Sequence, residues 1–255
     1  MKNIFPFRLI TFDVTNTLLN FKSEIGKAYG DVGAKHGVLC DPADLTKNFK
    51  RQLKKMSVEN PNFGRDTGIT WQEWWKKVVR DTFTGCQSDL SDSKLELICS
   101  ELIDTYKTST CWKPTAGSLD LLNYLKDRGV SLGVISNFDP RLHEILCATK
   151  LDNYFNFVLT SYEIGVSKPD EGIFKRAMAD SKLELLKRDQ CLHIGDTLEL
   201  DYIGAKKYGW NSFLVLRNKP IDLKNSAGVD KEHVFKDLIN LHEYLERKWN
   251  KYNVI

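Results

Sequence analysis

The six cysteines (Cys40, Cys86, Cys99, Cys111, Cys147 and Cys191) include no C-x-x-C pair. That argues against a zinc ribbon and against a disulfide framework. They read as small buried hydrophobes in a reducing compartment. No run approaches 18 consecutive apolar residues, so no membrane-spanning helix is expected. The opening MKNIFPFRLITFDV lacks a small-residue cleavage site and leads straight into a strand pattern. A signal peptide is therefore not expected, and the cytoplasm is the default address. Neither charge sign dominates: 37 Lys and Arg against 34 Asp and Glu leave a net +3, which excludes a globally basic nucleic-acid binder. H-E-x-x-H, G-x-S-x-G and G-x-x-x-x-G-K-[ST] are missing, and no G-x-G-x-x-G follows the first strand pattern. What is present is ordinary for a globular chain: 255 residues, 42% apolar and 28% charged, enough for one large domain or two small ones.

The pattern along the chain has three parts. Residues 7–14, FRLITFDV, form a short apolar run rich in β-branched and aromatic side chains, the mark of a buried strand. From about 20 to 110 the spacing is helical: Leu45, Phe49, Leu53 and Met56, then Val78, Val79 and Phe83, then Leu95, Leu97, Ile98, Leu102 and Ile103. No strand pattern interrupts that stretch. After Trp112-Lys113-Pro114 strand and helix alternate. SLGVISN (131–137), FNFVLTS (155–161), QCLHIGD (190–196) and NSFLVLR (211–217) read as buried strands. Helices are expected near 116–128, 139–149, 171–182 and 198–208, with a last one near 234–249. Five apolar strands separated by helices predict an α/β fold, a doubly wound parallel sheet with a Rossmann-like core. The helical stretch reads as an insertion after the first strand. That divides the chain into a core of 1–19 and 112–255 and an all-helical cap of 20–111.

In an open parallel sheet, ligands bind at the carboxyl ends of the strands. The first strand ends in Asp13, followed by Thr15, Asn16 and Thr17. The second ends in Ser136 and Asn137. The third leads to Ser167, Lys168 and Pro169, and the fourth ends in Gly195 and Asp196, with Asp201 five residues on. A carboxylate, a hydroxyl, an ammonium and two further carboxylates thus share one sheet edge. They can supply a nucleophile, an anion-holding pair and oxygen ligands for Mg²⁺. Singly, each is more often a helix cap, a turn residue or a solvated charge. Order, spacing and strand context together carry the functional reading.

Those segments, D-V-T-N-T-L at 13–18, S-N at 136–137, S-K-P-D at 167–170 and H-I-G-D-T-L-E-L-D at 193–201, resemble the four motifs of the haloacid dehalogenase-like hydrolases. The resemblance covers the whole chain, and the helical insertion falls where that family places its first-type cap. It implies Asp13 as a nucleophile that becomes an aspartyl phosphate. It implies Ser136 and Lys168 as holders of the phosphoryl oxygens, with Thr17 and Asn137 also on the phosphate. Asp13, Asp196 and the backbone carbonyl of Thr15 would bind Mg²⁺, supported by Asp201. The implied partner is a small phosphorylated molecule. Elementary electrostatics agrees, because carboxylates crowded at one strand edge need a cation before a dianionic phosphate can approach.

One position departs from the family's phosphatases, which carry a second Asp two residues after the nucleophile as general acid and base. Here it is Thr15. A hydroxyl protonates a leaving alkoxide poorly, and the loss of a positioned acid–base group costs about 10²–10⁴ in rate. Family ATPases that accumulate aspartyl phosphate also have Thr there; family dehalogenases and phosphonate-cleaving members have other non-acidic residues. Dehalogenation needs no metal, so the retained Asp196 and Asp201 favour phosphate, and no cap lysine stands out for a phosphonatase. Two readings remain: a slow or specialised phosphatase, and a phospho-ligand or protein binder without turnover.

Other features weigh less. Lys47, Lys50, Arg51, Lys54 and Lys55 form a basic stripe expected to be a solvated helix face. Trp71, Trp74 and Trp75 share helical spacing and are expected in the cap core. Residues 60–68 form a turn-rich loop, on which Arg65 is the candidate substrate contact. His193 is expected to be a satisfied interior histidine.

Overall fold

The structure, a computed structural model, describes residues 6–216 and 228–250; residues 1–5, 217–227 and 251–255, included in the core expectation above, and with them Arg217 of the last expected strand, lie outside them. In chain order the elements are β1 (Leu9–Phe12), β2 (Leu19–Phe21), α1 (Ile25–Lys35), α2 (Pro42–Glu59), α3 (Trp71–Thr84), α4 (Asp92–Thr105) and β3 (Trp112–Pro114). Then come α5 (Ser118–Asp127), β4 (Ser131–Ser136), α6 (Arg141–Ala148), β5 (Phe157–Thr160), α7 (Ser161–Ile164), α8 (Glu171–Asp180) and β6 (Cys191–Gly195). A π-helical stretch, Leu198–Ile203, runs into α9 (Gly204–Lys207), followed by β7 (Asn211–Val215), β8 (Val234–Phe235) and α10 (Leu238–Asn250).

Six strands form one sheet in the order β5-β4-β1-β6-β7-β8, every neighbouring pair parallel. This is the doubly wound α/β sheet expected. Its central strands are buried on both faces, which is why LITF and CLHIG carry almost no alternation of polar and apolar residues. On one side Phe174 of α8 packs edge-on to Trp210 with ring centroids 5.4 Å apart, over Leu9, Ile135 and Cys191. Truncating such a buried ring to Ala typically costs about 3–5 kcal/mol.

By residue contacts the chain divides into two compact units. One comprises Met1–Asn20, Pro114–Asn137 and Leu151–Ile255; the other comprises Phe21–Lys113 and Phe138–Lys150. Within the second, α1–α4 enclose a core that includes Tyr29, Phe49, Met56, Trp74, Val78, Phe83 and Ile98. Its helices start where capping chemistry allows: Asp41 Oδ1 accepts from Ala43 N at 2.7 Å ahead of Pro42, and Thr70 and Glu73 close a reciprocal capping box on α3. Trp74 is buried and donates Nε1 to Asn60 O at 2.9 Å, while Trp71 and Trp75 are half-buried. The segment Phe138–Lys150, which its sequence alone did not assign to this unit, is held in it by Asp139. That carboxylate is fully buried, accepts from Trp75 Nε1 at 2.8 Å and pairs with Arg141 at 2.7 Å. The five cations of the basic stripe on α2 are all exposed.

Four expectations need correction. The last helix does not begin at residue 234: Val234–Phe235 is an edge strand, and α10 starts at Leu238 with Asp237 Oδ1 accepting from Asn240 N at 2.9 Å. A two-residue strand is too short to leave any periodicity. The 198–208 helix is π-helical over its first half. Cys147 is exposed rather than a buried hydrophobe, because α6 turns that position outward. Leu97 is exposed for the same geometric reason, between the inward Leu95 and Ile98 of α4. Among the described residues, no helix is long and apolar enough to cross a membrane.

Candidate active site

The chain builds outward from β1 in both directions, to β4 and β5 on one side and to β6, β7 and β8 on the other. Strand order therefore reverses beside β1, which opens a crevice at the carboxyl ends. Asp13 follows β1, and its N–H still reaches Ile194 O at 2.9 Å. The chain then turns sharply. Thr17, Leu18 and Leu19 donate their N–H groups to Val14 O at 3.2, 3.0 and 2.9 Å. Asn16 takes the left-handed backbone (φ 62°), a conformation Asn tolerates better than most residues.

A cleft of about 240 Å³ lies at this edge. Asp13, Thr15, Ser136, Asn137, Lys168, Asp196 and Asp201, all chosen from sequence, line it together with Asn16, Thr197 and Leu200. Thr17 does not line it. The turn carries that side chain into the interior, where Oγ1 has no hydrogen-bond partner among the described residues. Arg65 is exposed on the Asn62–Thr67 turn of the other unit.

Lys168 organises the cleft. Its buried ammonium has three hydrogens and three acceptors: Asp201 Oδ1 at 2.7 Å, Asp13 Oδ1 at 2.8 Å and Ile135 O at 2.8 Å. Burial works against the charge, yet the two carboxylates outweigh it and hold the lysine pKa above its ordinary value. Asn137 clamps the lysine's main chain: Nδ2 donates to Lys168 O at 2.9 Å, and Oδ1 accepts from Lys168 N at 2.7 Å. One amide hydrogen is left for a ligand.

Asp13 is asymmetric. Oδ1 accepts from both Lys168 and Ser136 Oγ, the latter at 3.1 Å. Among the described residues Oδ2 accepts no hydrogen bond, so its lone pairs are available. Burial pushes the Asp13 carboxyl up to about 6; Lys168 opposes the shift, and the charges of Asp201 and Asp196 reinforce it. Asp201 behaves oppositely. Its Oδ1 accepts from Lys168 and from His193 Nε2 at 3.1 Å, and its Oδ2 accepts from Thr197 N at 2.9 Å. Burial alone would raise it, but the Lys168 charge and those donors hold it well below the usual carboxylate range. With both oxygens engaged by N–H groups, Asp201 holds Lys168 while still lining the cleft. His193 is fully buried, as expected, and burial lowers its pKa.

Gly195 and Thr197 lie within the H-I-G-D-T-L-E-L-D segment, which alone gives them no role; the glycine makes room for Asp201, and Thr197 N holds its Oδ2. The donor set discriminates among metals. Among the described residues no three His, Cys, Asp or Glu side chains group together as a structural zinc site would require. Asp13 and Asp196, at the ends of adjacent strands, are two carboxylates, and Mg²⁺ takes one or two carboxylates with carbonyl, water and phosphate oxygens. The residues present fit that ion.

Residues 7–209 match the family model described as haloacid dehalogenase-like hydrolase. The chain is 47% identical to the rhythmically expressed gene 2 protein of Drosophila melanogaster, over 95% of this chain and 96% of that one. It is 34% identical to the human haloacid dehalogenase-like hydrolase domain-containing protein 3, over 94% of each. Among solved structures, YfnB of Bacillus subtilis, described as bound to magnesium, superposes with a TM-score of 0.68 at 15% identity, covering 94% of this chain and 99% of that one.

Proposed function

Because the chain belongs to the haloacid dehalogenase-like hydrolase family, we propose that it is a Mg²⁺-dependent phosphatase-type hydrolase acting on a small phosphorylated molecule through an aspartyl phosphate on Asp13. The observation that carries this reading is the division of labour at Asp13, with Oδ1 held by Lys168 and Ser136 and Oδ2 left for attack.

In this reading Oδ2 attacks phosphorus, the bond from phosphorus to the ester oxygen breaks, and the leaving oxygen takes a proton from solvent. Water then attacks the phosphorus of the acyl phosphate, releasing phosphate and returning the Asp13 carboxylate. Lys168 and Ser136, which line the cleft beside Asp13, would offset the charge on the phosphoryl oxygens, where stabilisation counts most. Mg²⁺ held by Asp13, Asp196 and the Thr15 carbonyl would supply the positive charge that lets a dianion approach a carboxylate. Thr15 offers no good acid for the leaving oxygen, so turnover of simple alkyl esters is slow. A dehalogenase would need no such acidic pair, and Asp196 favours phosphate.

The test is a panel of phosphorylated metabolites with Mg²⁺, with Asp13→Asn as the blank. Hydrolysis that this substitution abolishes supports the proposal. Thr15 favours one second reading, a phospho-ligand binder without turnover. Binding of a phosphate mimic with no hydrolysis across the panel would select it.

A further inference from the structure

Two buried polar side chains next to the cleft have no part in the chemistry above. Thr11 on β1 and His193 on β6 are direct partners across the sheet, and both are fully buried. Thr11 Oγ1 lies 2.9 Å from His193 Nδ1, and His193 Nε2 lies 3.1 Å from Asp201 Oδ1. A carboxylate only accepts, so Nε2 carries the hydrogen and donates it. The ring stands edge-on to Phe174 with centroids 5.6 Å apart, in apolar surroundings where a leucine would fill the space without a desolvation cost. An imidazole satisfied at both nitrogens is there for its polarity.

We infer that His193, braced by Thr11, is a positioning residue for Lys168: its Nε2–H donation fixes the Asp201 carboxylate that aims the Lys168 ammonium at Asp13. The mechanics follow from the count of donors. Thr197 N holds Asp201 Oδ2, and His193 holds one lone-pair direction of Oδ1. The direction that remains on Oδ1 is the one Lys168 occupies at 2.7 Å. Remove the imidazole hydrogen and Asp201 regains freedom to turn, so the ammonium loses its fixed direction. The role in turnover rests on the phosphatase reading; the role in holding the lysine does not.

Three variants test it: His193→Leu removes both polar contacts, His193→Gln restores an N–H donor, and Thr11→Val removes only the brace with a residue suited to a buried strand. The first readout is independent of activity. In ¹H–¹⁵N spectra of the lysine side chains, the Lys168 ammonium, with all three hydrogens bonded, should exchange slowly with water. His193→Leu should speed that exchange about ten-fold or more, the scale of one hydrogen bond to a charged group, with a smaller rise for Thr11→Val and near-recovery in His193→Gln. The second readout is kinetic: kcat should fall in the same order, with KM changing far less. If His193→Leu does not fold, Thr11→Val against His193→Gln carries the comparison. Unchanged ammonium exchange in folded His193→Leu or Thr11→Val overturns the inference. Altered exchange with no turnover in wild type would leave the relay standing and overturn the phosphatase reading instead.

Discussion

Asp201 lies so close against Gly195 that a Cβ at that position would come within 2.2 Å of Asp201 Cγ and 2.3 Å of Oδ2. The carboxylate cannot withdraw cheaply, because Lys168, His193 and Thr197 N all hold it. Glycine before Asp196 is therefore a condition for the position of Lys168, two contacts away through Asp201, and not a requirement of the local turn.

Gly195→Ala should accordingly destabilise the protein by about 1–3 kcal/mol, the usual cost of forcing a methyl into a packed site. It should also impair turnover beyond what the lost stability explains. Thermal denaturation and kinetics on the same samples check this. An unchanged melting temperature would mean that Asp201 has an alternative seat.

The two acidic residues after β6 should separate in metal binding. Asp196→Asn removes a proposed direct ligand, whereas Asp201→Asn removes a partner of Lys168. Calorimetric titration should show Mg²⁺ affinity falling more for Asp196→Asn, beyond the roughly ten-fold that loss of a supporting partner can cause. Equal binding by wild type and Asp196→Asn would take Asp196 out of the site.

Burial raises the Asp13 carboxyl to about 6 from an ordinary 3.8, so the folded state binds that proton more tightly than the unfolded chain does. Stability should then fall as pH rises between about 4 and 6, with the whole penalty present at neutral pH. In EDTA, Asp13→Asn should match wild type near pH 4 and exceed it above pH 7, by on the order of 2–3 kcal/mol. Melting curves of both proteins across that range give the answer, and a gap independent of pH would contradict the buried, proton-hungry carboxylate.

Much of this arrangement could be read from residue order because each chemical group sits at the end of a short apolar strand, where position along the chain fixes position on the sheet edge. Asp13, Ser136 and Asp196 belong to that class. Relations set by tertiary packing left no such trace. Asn137 lines the cleft, but its clamp on the main chain of Lys168, 31 residues on, is a second task that its place after β4 does not announce. Thr17 shares the motif of Asp13 but points inward, because three N–H groups converge on Val14 O. The attachment of Phe138–Lys150 to the helical unit depends on Asp139 meeting Trp75, a pairing of residues 64 apart that no periodicity announces.

Thr15 is the position on which the proposed slow phosphatase and the proposed binder divide. It lines the cleft beside Asp13, and each of the other lining acids has a task elsewhere in the proposed mechanism: Asp201 is engaged by three N–H donors and Asp196 is a proposed metal ligand. If that missing carboxylate limits turnover, Thr15→Asp should raise hydrolysis of simple alkyl phosphates about ten-fold or more, the lower part of the range for a positioned acid. Wild type should do comparatively better on aryl or acyl phosphates, whose leaving groups need little protonation. The comparison is differential because Asp13, Ser136 and Lys168 manage attack and charge without help from the side chain at position 15. An equal gain on both substrate types would put the limit at hydrolysis of the aspartyl phosphate, the step they share. No gain on any phosphate, with Mg²⁺ binding intact, would exclude acid–base loss as the bottleneck and favour the binder over the slow enzyme.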